Sequence, residues 1–324
     1  MDVAVIGLGL IGGSVLRALA ARGHRLVGFD ADPATRATAR TASARVASGS
    51  RWQVVGKIQD AIAGAEIVVL AVPLPALPGV LREMSGYRGL ITDVTSVKGP
   101  VRDLMTDFAY VGSHPMAGRE TSGFGVSDPA LFDGCAWVLC LEPGETSMPD
   151  WLMLAELWTG LGARVVPATA GDHDAAVATV SHVPHLLAAA MAGTVGGDPL
   201  AATLAAGSFR DGTRVAATRP ELTAAMCGGN AAAVRPALDA VAAAVAGLRA
   251  ALDEPDPVAA LLPLLAPASV ARSAWPPVPG DRAELPIRAD VLLRLGRVGG
   301  WITAVDRGRR KVLAMRPETG RNSS

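Results

Sequence analysis

The sequence predicts an α/β protein with a doubly wound, mostly parallel sheet, followed by an all-α helical domain and a small α+β extension. Three observations predict it. Short β-branched runs alternate with helical patterns over residues 1–168, and alanine-rich helical sequence without strand signals then runs to about Pro263. The proline-rich run "PASVARSAWPPVPGD", from Pro267 to Asp281, reads as a linker ahead of a last small module. The division is therefore 1–168, 169–266 and 267–324.

The strand candidates in order are "DVAVIG", "RLVGFD", "EIVVLAVP", "GLITDVTS", "YVGSHP", "AWVLCL" and "ARVVPA". Their alternation with helices implies one mostly parallel sheet covered on both faces. In the helical domain Val234, Leu238, Val241, Val245, Leu248 and Leu252 step by 4, 3, 4, 3 and 4, which is one stripe of a long helix. Such a stripe packs on a helix of its own chain, and it also suits a homodimer interface. The extension reads as strand ("AELPI"), helix ("ADVLLRLGRV") and a hairpin turning at "DRG". It is half the size of a ligand-binding ACT domain, so residues 281–324 are expected to be a structural cap.

Composition narrows the partners. Half of the 324 residues are hydrophobic, enough for a sizeable core. Lysine plus arginine and aspartate plus glutamate stand at 30 each, which removes the positive field that nucleic acid or an anionic membrane would need. A small-molecule partner is expected, with no nucleic acid and no membrane. Cys135, Cys140 and Cys227 are odd in number and lack metal-ligand spacing, so neither a disulfide framework nor a metal site is expected, and a reducing cytoplasm fits. The apolar start is interrupted by glycines and Arg17, and reads as strand, turn and helix rather than a leader.

The turn carries the first chemistry. "GLGLIG" sets Gly7, Gly9 and Gly12 directly after the first strand. Gly7 permits a tight turn, Gly9 a close backbone approach by a pyrophosphate, and Gly12 close helix packing. Leu10 and Ile11 then offer backbone N–H groups at the helix start. The next strand ends at Asp30, eighteen residues past Gly12, where a carboxylate accepts from an adenosine ribose. No arginine follows at once, the first being Arg36, so a Rossmann-type NAD site is expected over NADP.

Two later strands end in reactive side chains: "DVTSVKG" brings Ser96 and Lys98, and "GSHPMAGRETSGF" brings His114. Both open into the crevice where sheets of this class bind ligands. An imidazole with a pKa of ~6.5 can take a hydroxyl proton as hydride leaves the same carbon. In "VSHVPHLL", His182 and His185 share a helical face, with Pro184 between them as a kink. In "FRDGTR", Arg210 and Arg214 stand at i and i+4, either as part of a surface ion-pair ladder with Asp211 or as an anion clamp.

At these residues the chain resembles the prephenate dehydrogenase family of tyrosine biosynthesis. The carriers are "GLGLIGGS", "DVTSVK", "SHPMAGRETSGF", "SHVPHLLAAAMA" and "FRDGTR" followed by "PEL", in the family's order across the first 230 residues. The resemblance implies NAD-dependent oxidative decarboxylation of prephenate, or of its aminated analogue arogenate. It makes His114 the acceptor for the ring hydroxyl and Ser96 the polar neighbour that orients it. It makes Arg214 the carboxylate clamp, sets His182 and His185 across the cleft from the nicotinamide, and gives Glu120 an acidic position at the pocket edge. One departure stands out: Thr223 follows "PEL" where the family commonly has a bulky aromatic.

Two other classes compete. A β-hydroxyacid dehydrogenase or reductase usually depends on a second-domain lysine, and residues 171–262 contain none. An NAD-sensing regulator would need the glycine turn but no histidine at the strand end.

Overall fold

A computed structural model describes residues 1–118 and 121–318. Glu120 lies outside the described residues. The amino-terminal half opens with β1 (Asp2–Ile6), α1 (Leu10–Ala21), β2 (Arg25–Phe29), α2 (Pro33–Ala44), β3 (Gln53–Val54), α3 (Ile58–Ile62), β4 (Ile67–Leu70), α4 (Leu77–Glu83), β5 (Leu90–Asp93), α5 (Gly99–Leu104) and β6 (Tyr110–Val111). These six strands form a sheet in the order β3-β2-β1-β4-β5-β6. Every pairing is parallel.

The central strands β1 and β4 are almost wholly apolar because both faces are covered. Val3, Val5, Ile67 and Val69 enter the core cluster on one face, while Ala4, Ile6, Val68 and Leu70 enter the cluster on the other. This is the two-residue alternation of a strand buried on both sides. Sequence order runs outward in both directions from the β1–β4 pair, so the crevice at the carboxyl ends of those strands is the ligand position.

A second sheet was not expected. It is built from β7 (Ser113–Pro115), β8 (Ala136–Cys140), β9 (Arg164–Ala168), β10 (Pro279–Pro286), β11 (Trp301–Asp306) and β12 (Lys311–Pro317), in the order β10-β12-β11-β9-β8-β7. The predicted strand "YVGSHP" is thus two: β6 ends the first sheet, Gly112 breaks the run, and β7 joins the second by pairing antiparallel with β8. A Cβ at Gly112 would stand 2.9 Å from the Tyr110 hydroxyl and 3.4 Å from Cys140, so the change of sheet needs a residue without a side chain.

The carboxyl-terminal residues are not a separate module. β11 pairs with β9 at Ile302 and Val165, and α14 (Ala289–Arg297) lies on the same sheet. Leu292, Leu295 and Ile302 enter one cluster with Trp137, Trp151 and Trp158, the last two being contributed by α6 (Met148–Gly160). Trp137 and Trp158 stack 4.1 Å apart at 10°. The second sheet therefore shares a core with the first.

The helical domain runs through α7 (Ala170–Val177), a π-helical turn (Ala178–His182), α8 (Val183–Gly193), α9 (Pro199–Leu204), α10 (Gly207–Thr213), α11 (Pro220–Gly229), α12 (Ala231–Ala251) and α13 (Pro257–Ser273). Of the predicted stripe, Val234, Leu238 and Val241 pack on Ala178, Val183, Leu186 and Leu187, whereas Val245 and Leu252 are 55% and 60% exposed. The expected linker from Pro267 is also corrected: α13 continues through Pro263 and Pro267 to Ser273. No α13 residue is buried, so the carbonyls freed by these prolines face water and the helix persists. The stretches Ala170–Gly193 and Ala231–Ala251 are long and apolar enough to cross a bilayer by length and composition.

Candidate active site

The glycine turn has the shape of a phosphate cradle. Gly7 stands at φ +96°, and a Cβ there would lie 2.4 Å from the Ala71 carbonyl oxygen. A Cβ on Gly12 would come within 1.9 Å of the Gly7 carbonyl, which is the close helix–strand contact that admits only glycine. At Gly9 nothing lies within 4 Å of an added Cβ, leaving open space above the backbone. Gly9 caps α1 without a side-chain bond and no acidic residue occupies the first turn, so the amide groups at Leu10 and Ile11 open a helix with unmet donors. Asp30 is seated beside them: its carboxylate accepts from Leu8 N at 2.7 Å and from Asp32 N at 2.8 Å. These residues fit a dinucleotide.

Arg36, which the sequence spacing set apart from Asp30, folds back from α2. Its Nη1 donates to the Asp30 and Ala31 carbonyl oxygens at 2.6 and 3.0 Å. One helical turn brings a distant arginine to the ribose end.

Under the crevice lies a buried polar knot. Asp93, wholly buried at the end of β5, pairs with Lys98, which is itself 1% exposed. Asp93 also accepts from the Tyr110 hydroxyl at 2.7 Å and from Ser113 N at 3.2 Å. Lys98 Nζ donates to the Ser113 carbonyl at 2.7 Å, and the Ser113 hydroxyl donates to the Asp93 carbonyl at 2.6 Å. Burial, then the Asp93 charge, pushes the Tyr110 phenol well above its ordinary pKa. Removing Asp93 or Lys98 alone would strand the other's buried charge at a cost of roughly 3–5 kcal/mol. The knot clamps β7 at Ser113, so the alternate residue, His114, faces the other way.

His114 is half-buried, and its Nδ1 lies 2.9 Å from His173 Nε2. The rings meet edge to face, with centroids 5.1 Å apart. His173 Nδ1 in turn lies 2.7 Å from Asp174 Oδ1. Asp174 accepts from Lys98 N and Gly99 N, each at 2.8 Å, at the start of α5. Burial, followed by the positive fields of His173, Lys98 and His182, drives the His114 pKa well below the ordinary histidine value. Burial also lowers that of His173, against the opposing pull of Asp174. Burial alone would raise the Asp174 carboxyl, but its bonds from His173 and the two amides hold it below the usual range. The constellation is an uncharged base tied to an anchored carboxylate.

The remaining expected residues divide. Ser96 is half-buried in the β5–α5 loop, but the His114 Nδ1 partner is His173. His182 does not line an open wall: it is wholly buried, with Nδ1 accepting from Asn230 at 3.1 Å and Nε2 without a partner. Burial, with repulsion from His173, pushes its pKa down to about 4. His185 is half-buried and donates through Nδ1 to the Ser181 carbonyl at 2.8 Å. Arg210 pairs with Asp211 in solvent, whereas Arg214 begins a short 3-10 turn that packs against α8, the helix carrying His185. The two arginines thus differ in setting, Arg210 inside α10 and Arg214 at its carboxyl-terminal cap. Among the described residues, no group of three metal-ligating side chains is arranged to hold an ion.

His173, Asp174 and Asn230 were not singled out in the sequence. The available signal was "DHD" at 172–174, an acid–imidazole–acid run just past the domain boundary.

Comparison with known proteins gives concordant matches. A family model described as the prephenate dehydrogenase nucleotide-binding domain matches residues 15–167, and one described as the prephenate dehydrogenase dimerization domain matches residues 169–261. The cyclohexadienyl dehydrogenase of Zymomonas mobilis is 34% identical over 269 residues, covering 78% of this chain and 89% of that protein. The prephenate dehydrogenase of Lactococcus lactis is 32% identical over 66% of this chain, which spans 60% of that relative's length. Among solved structures, the Synechocystis arogenate dehydrogenase superimposes with a TM-score of 0.70 at 28% identity, covering 85% of this chain and all of that one.

Proposed function

Because the chain belongs to the prephenate dehydrogenase family, we propose that it catalyses the NAD-dependent oxidative decarboxylation of prephenate to 4-hydroxyphenylpyruvate. The observation that carries this reading is His114: a half-buried imidazole on β7, just past the end of β6, with its Nδ1 2.9 Å from His173 and its pKa lowered by burial so that it stays neutral. Gly7, Gly9, Gly12 and the α1 amides would hold the pyrophosphate, and Asp30 the adenosine ribose. When bound, NAD+ supplies the hydride acceptor.

The substrate is a cyclohexadienol bearing a ring carboxylate. His114 takes the proton of the carbinol hydroxyl while that carbon gives up hydride. The ring C–CO2 bond breaks, its electron pair runs through the ring to the carbonyl oxygen, and His114 returns the proton there, so that the aromatic phenol and carbon dioxide are released. Arg214 binds a substrate carboxylate through its planar fork, with His185 on the neighbouring helix as a second polar contact. Ser96 lies at the hydroxyl end. His182 acts from below as part of the buried support.

Arogenate is the second reading, favoured by the Synechocystis relative. The ring chemistry is unchanged, so NADH formation is measured with both substrates, each with NAD and NADP. Prephenate with NAD is expected to give the highest kcat/KM, and no turnover of either substrate overturns the reading. His114→Asn is expected to lower kcat by about 10²–10⁴-fold while NAD binding survives.

The active form is a homodimer joined through the helical domain. Supporting this are exposed apolar residues on α12 (Val245), at its end (Leu252) and on α13 (Val258), all in the segment matched by the dimerization model. The free thiols of Cys135, Cys140 and Cys227 accord with a reducing cytoplasm.

A further inference from the structure

His114 can take a proton only through a ring nitrogen that carries none, and an isolated imidazole distributes its single proton between two nitrogens. The surroundings remove that freedom stepwise. Asp174 is held as an acceptor by Lys98 N and Gly99 N, each at 2.8 Å, so the hydrogen in its 2.7 Å contact with His173 belongs to His173 Nδ1. A neutral His173 then has a bare Nε2. The 2.9 Å contact of that nitrogen with His114 Nδ1 requires the hydrogen on His114 Nδ1. What is left on His114 is a lone pair at Nε2, across the ring from α7.

We propose that His173 and Asp174 are positioning residues which fix His114 in the Nδ1–H form and so place its basic lone pair on Nε2. The proposal rests on His114 being the base of the reaction above, and it adds why that ring is ready to act. When the hydroxyl proton arrives at Nε2, the substrate O–H bond breaks and His114 becomes an imidazolium. Its Nδ1 proton can pass to His173 Nε2, which leaves His114 neutral and sets the single positive charge next to the Asp174 carboxylate. The one proton held in the chain goes back by the same path to the ring oxygen once that oxygen has received the electron pair of the broken C–CO2 bond, so the enzyme ends as it began. His173 and Asp174 are 2% and 8% exposed, so the relay is shielded from water that would otherwise compete for its hydrogens.

The test reads both tautomer and rate. In the unliganded wild-type chain with ¹⁵N-labelled histidine, long-range ¹H–¹⁵N spectra at neutral pH should show His114 protonated at Nδ1 and bare at Nε2. An Nε2–H tautomer overturns the proposal. This reading is independent of turnover, so it stands or falls separately from the assignment of prephenate as substrate.

Asp174 also anchors α5, so His173 is the better residue to change. His173→Leu removes the acceptor and should lower kcat by about 10²–10³-fold, with the KM for NAD within about threefold. His173→Gln presents an amide oxygen to His114 Nδ1–H and should recover at least about tenfold of that loss. Equal kcat for the two variants, or a Leu variant within about threefold of wild type, overturns the proposal. If the Leu variant does not fold, the Gln variant and the wild-type spectra decide.

Discussion

With His114 as the proposed base, its environment sets the pH dependence expected of the reaction. Its folded pKa is lowered by burial and by His173, Lys98 and His182, so the active neutral form persists below the ordinary ~6.5 of histidine. The acid limb of kcat/KM should therefore fall well below pH 6.5, and a pH–rate profile with a half-point near or above 6.5 would contradict that environment. At the cofactor end, Arg36 bonds to backbone carbonyls and should stay in place when the Asp30 side chain is replaced. Asp30→Ser removes the ribose acceptor and the repulsion of a 2′-phosphate. It should raise the KM for NAD by about ten- to a hundredfold and improve the use of NADP, measured as the ratio of kcat/KM values. The placement of Gly7, Gly9, Gly12, Asp30 and His114 at or just past strand ends was legible in the sequence, because a turn or a strand end fixes each position. His173 was not, because its partner stands fifty-nine residues away and only the packing of α7 on α5, β8 and β9 brings the two rings together.

Among the elements, the π-helical turn at 178–182 is where local sequence shows best. Pro184 withholds its N–H, the helix widens in the turn before it, and His182 is carried into the core toward Asn230. The sequence predicted a kink there, but not that it would turn one imidazole inward while leaving the other half-exposed. The stripe on α12 was legible as a period, yet a period cannot say where its partner ends. Val234 to Val241 pack within the chain, whereas Val245 and Leu252 are left exposed. Val245→Glu should leave the circular dichroism of the monomer unchanged while shifting the assembly toward monomer in size-exclusion light scattering. A dimer of wild-type stability would place the interface elsewhere. Pro267 misled for the opposite reason: it stands in a helix none of whose residues is buried within the chain, where solvent can take up the freed carbonyl.

At the scale of the whole molecule, the two sheets and the tail depend on one core. Ile302 is fully buried, and Ile302→Ala should cost about 2–5 kcal/mol, read as a lower urea midpoint, although the residue lies in the tail. An independent tail would leave the midpoint of the main transition untouched. Acid should act globally as well. His114, His173 and His182 all have folded pKa values below their unfolded ones, His182 at about 4. From about pH 6.5 downward the unfolded chain binds protons that the fold refuses, so stability is full above that range and is lost as pH falls toward 4. A thermal midpoint unchanged between pH 7.5 and 4.5 would contradict the neutral cluster. The division of strands between two sheets was hidden from the sequence because Gly112 interrupts a run whose apolar character continues on both sides. That single break has a consequence for how the chain tolerates change in length. With Ser113 pinned to Asp93 and Lys98, inserting or deleting one residue at the crossing would swap inward and outward neighbours along β7, presenting a hydroxymethyl group where the imidazole belongs. Variation in length should be absorbed readily in the Arg307–Arg310 turn and refused between residues 111 and 114.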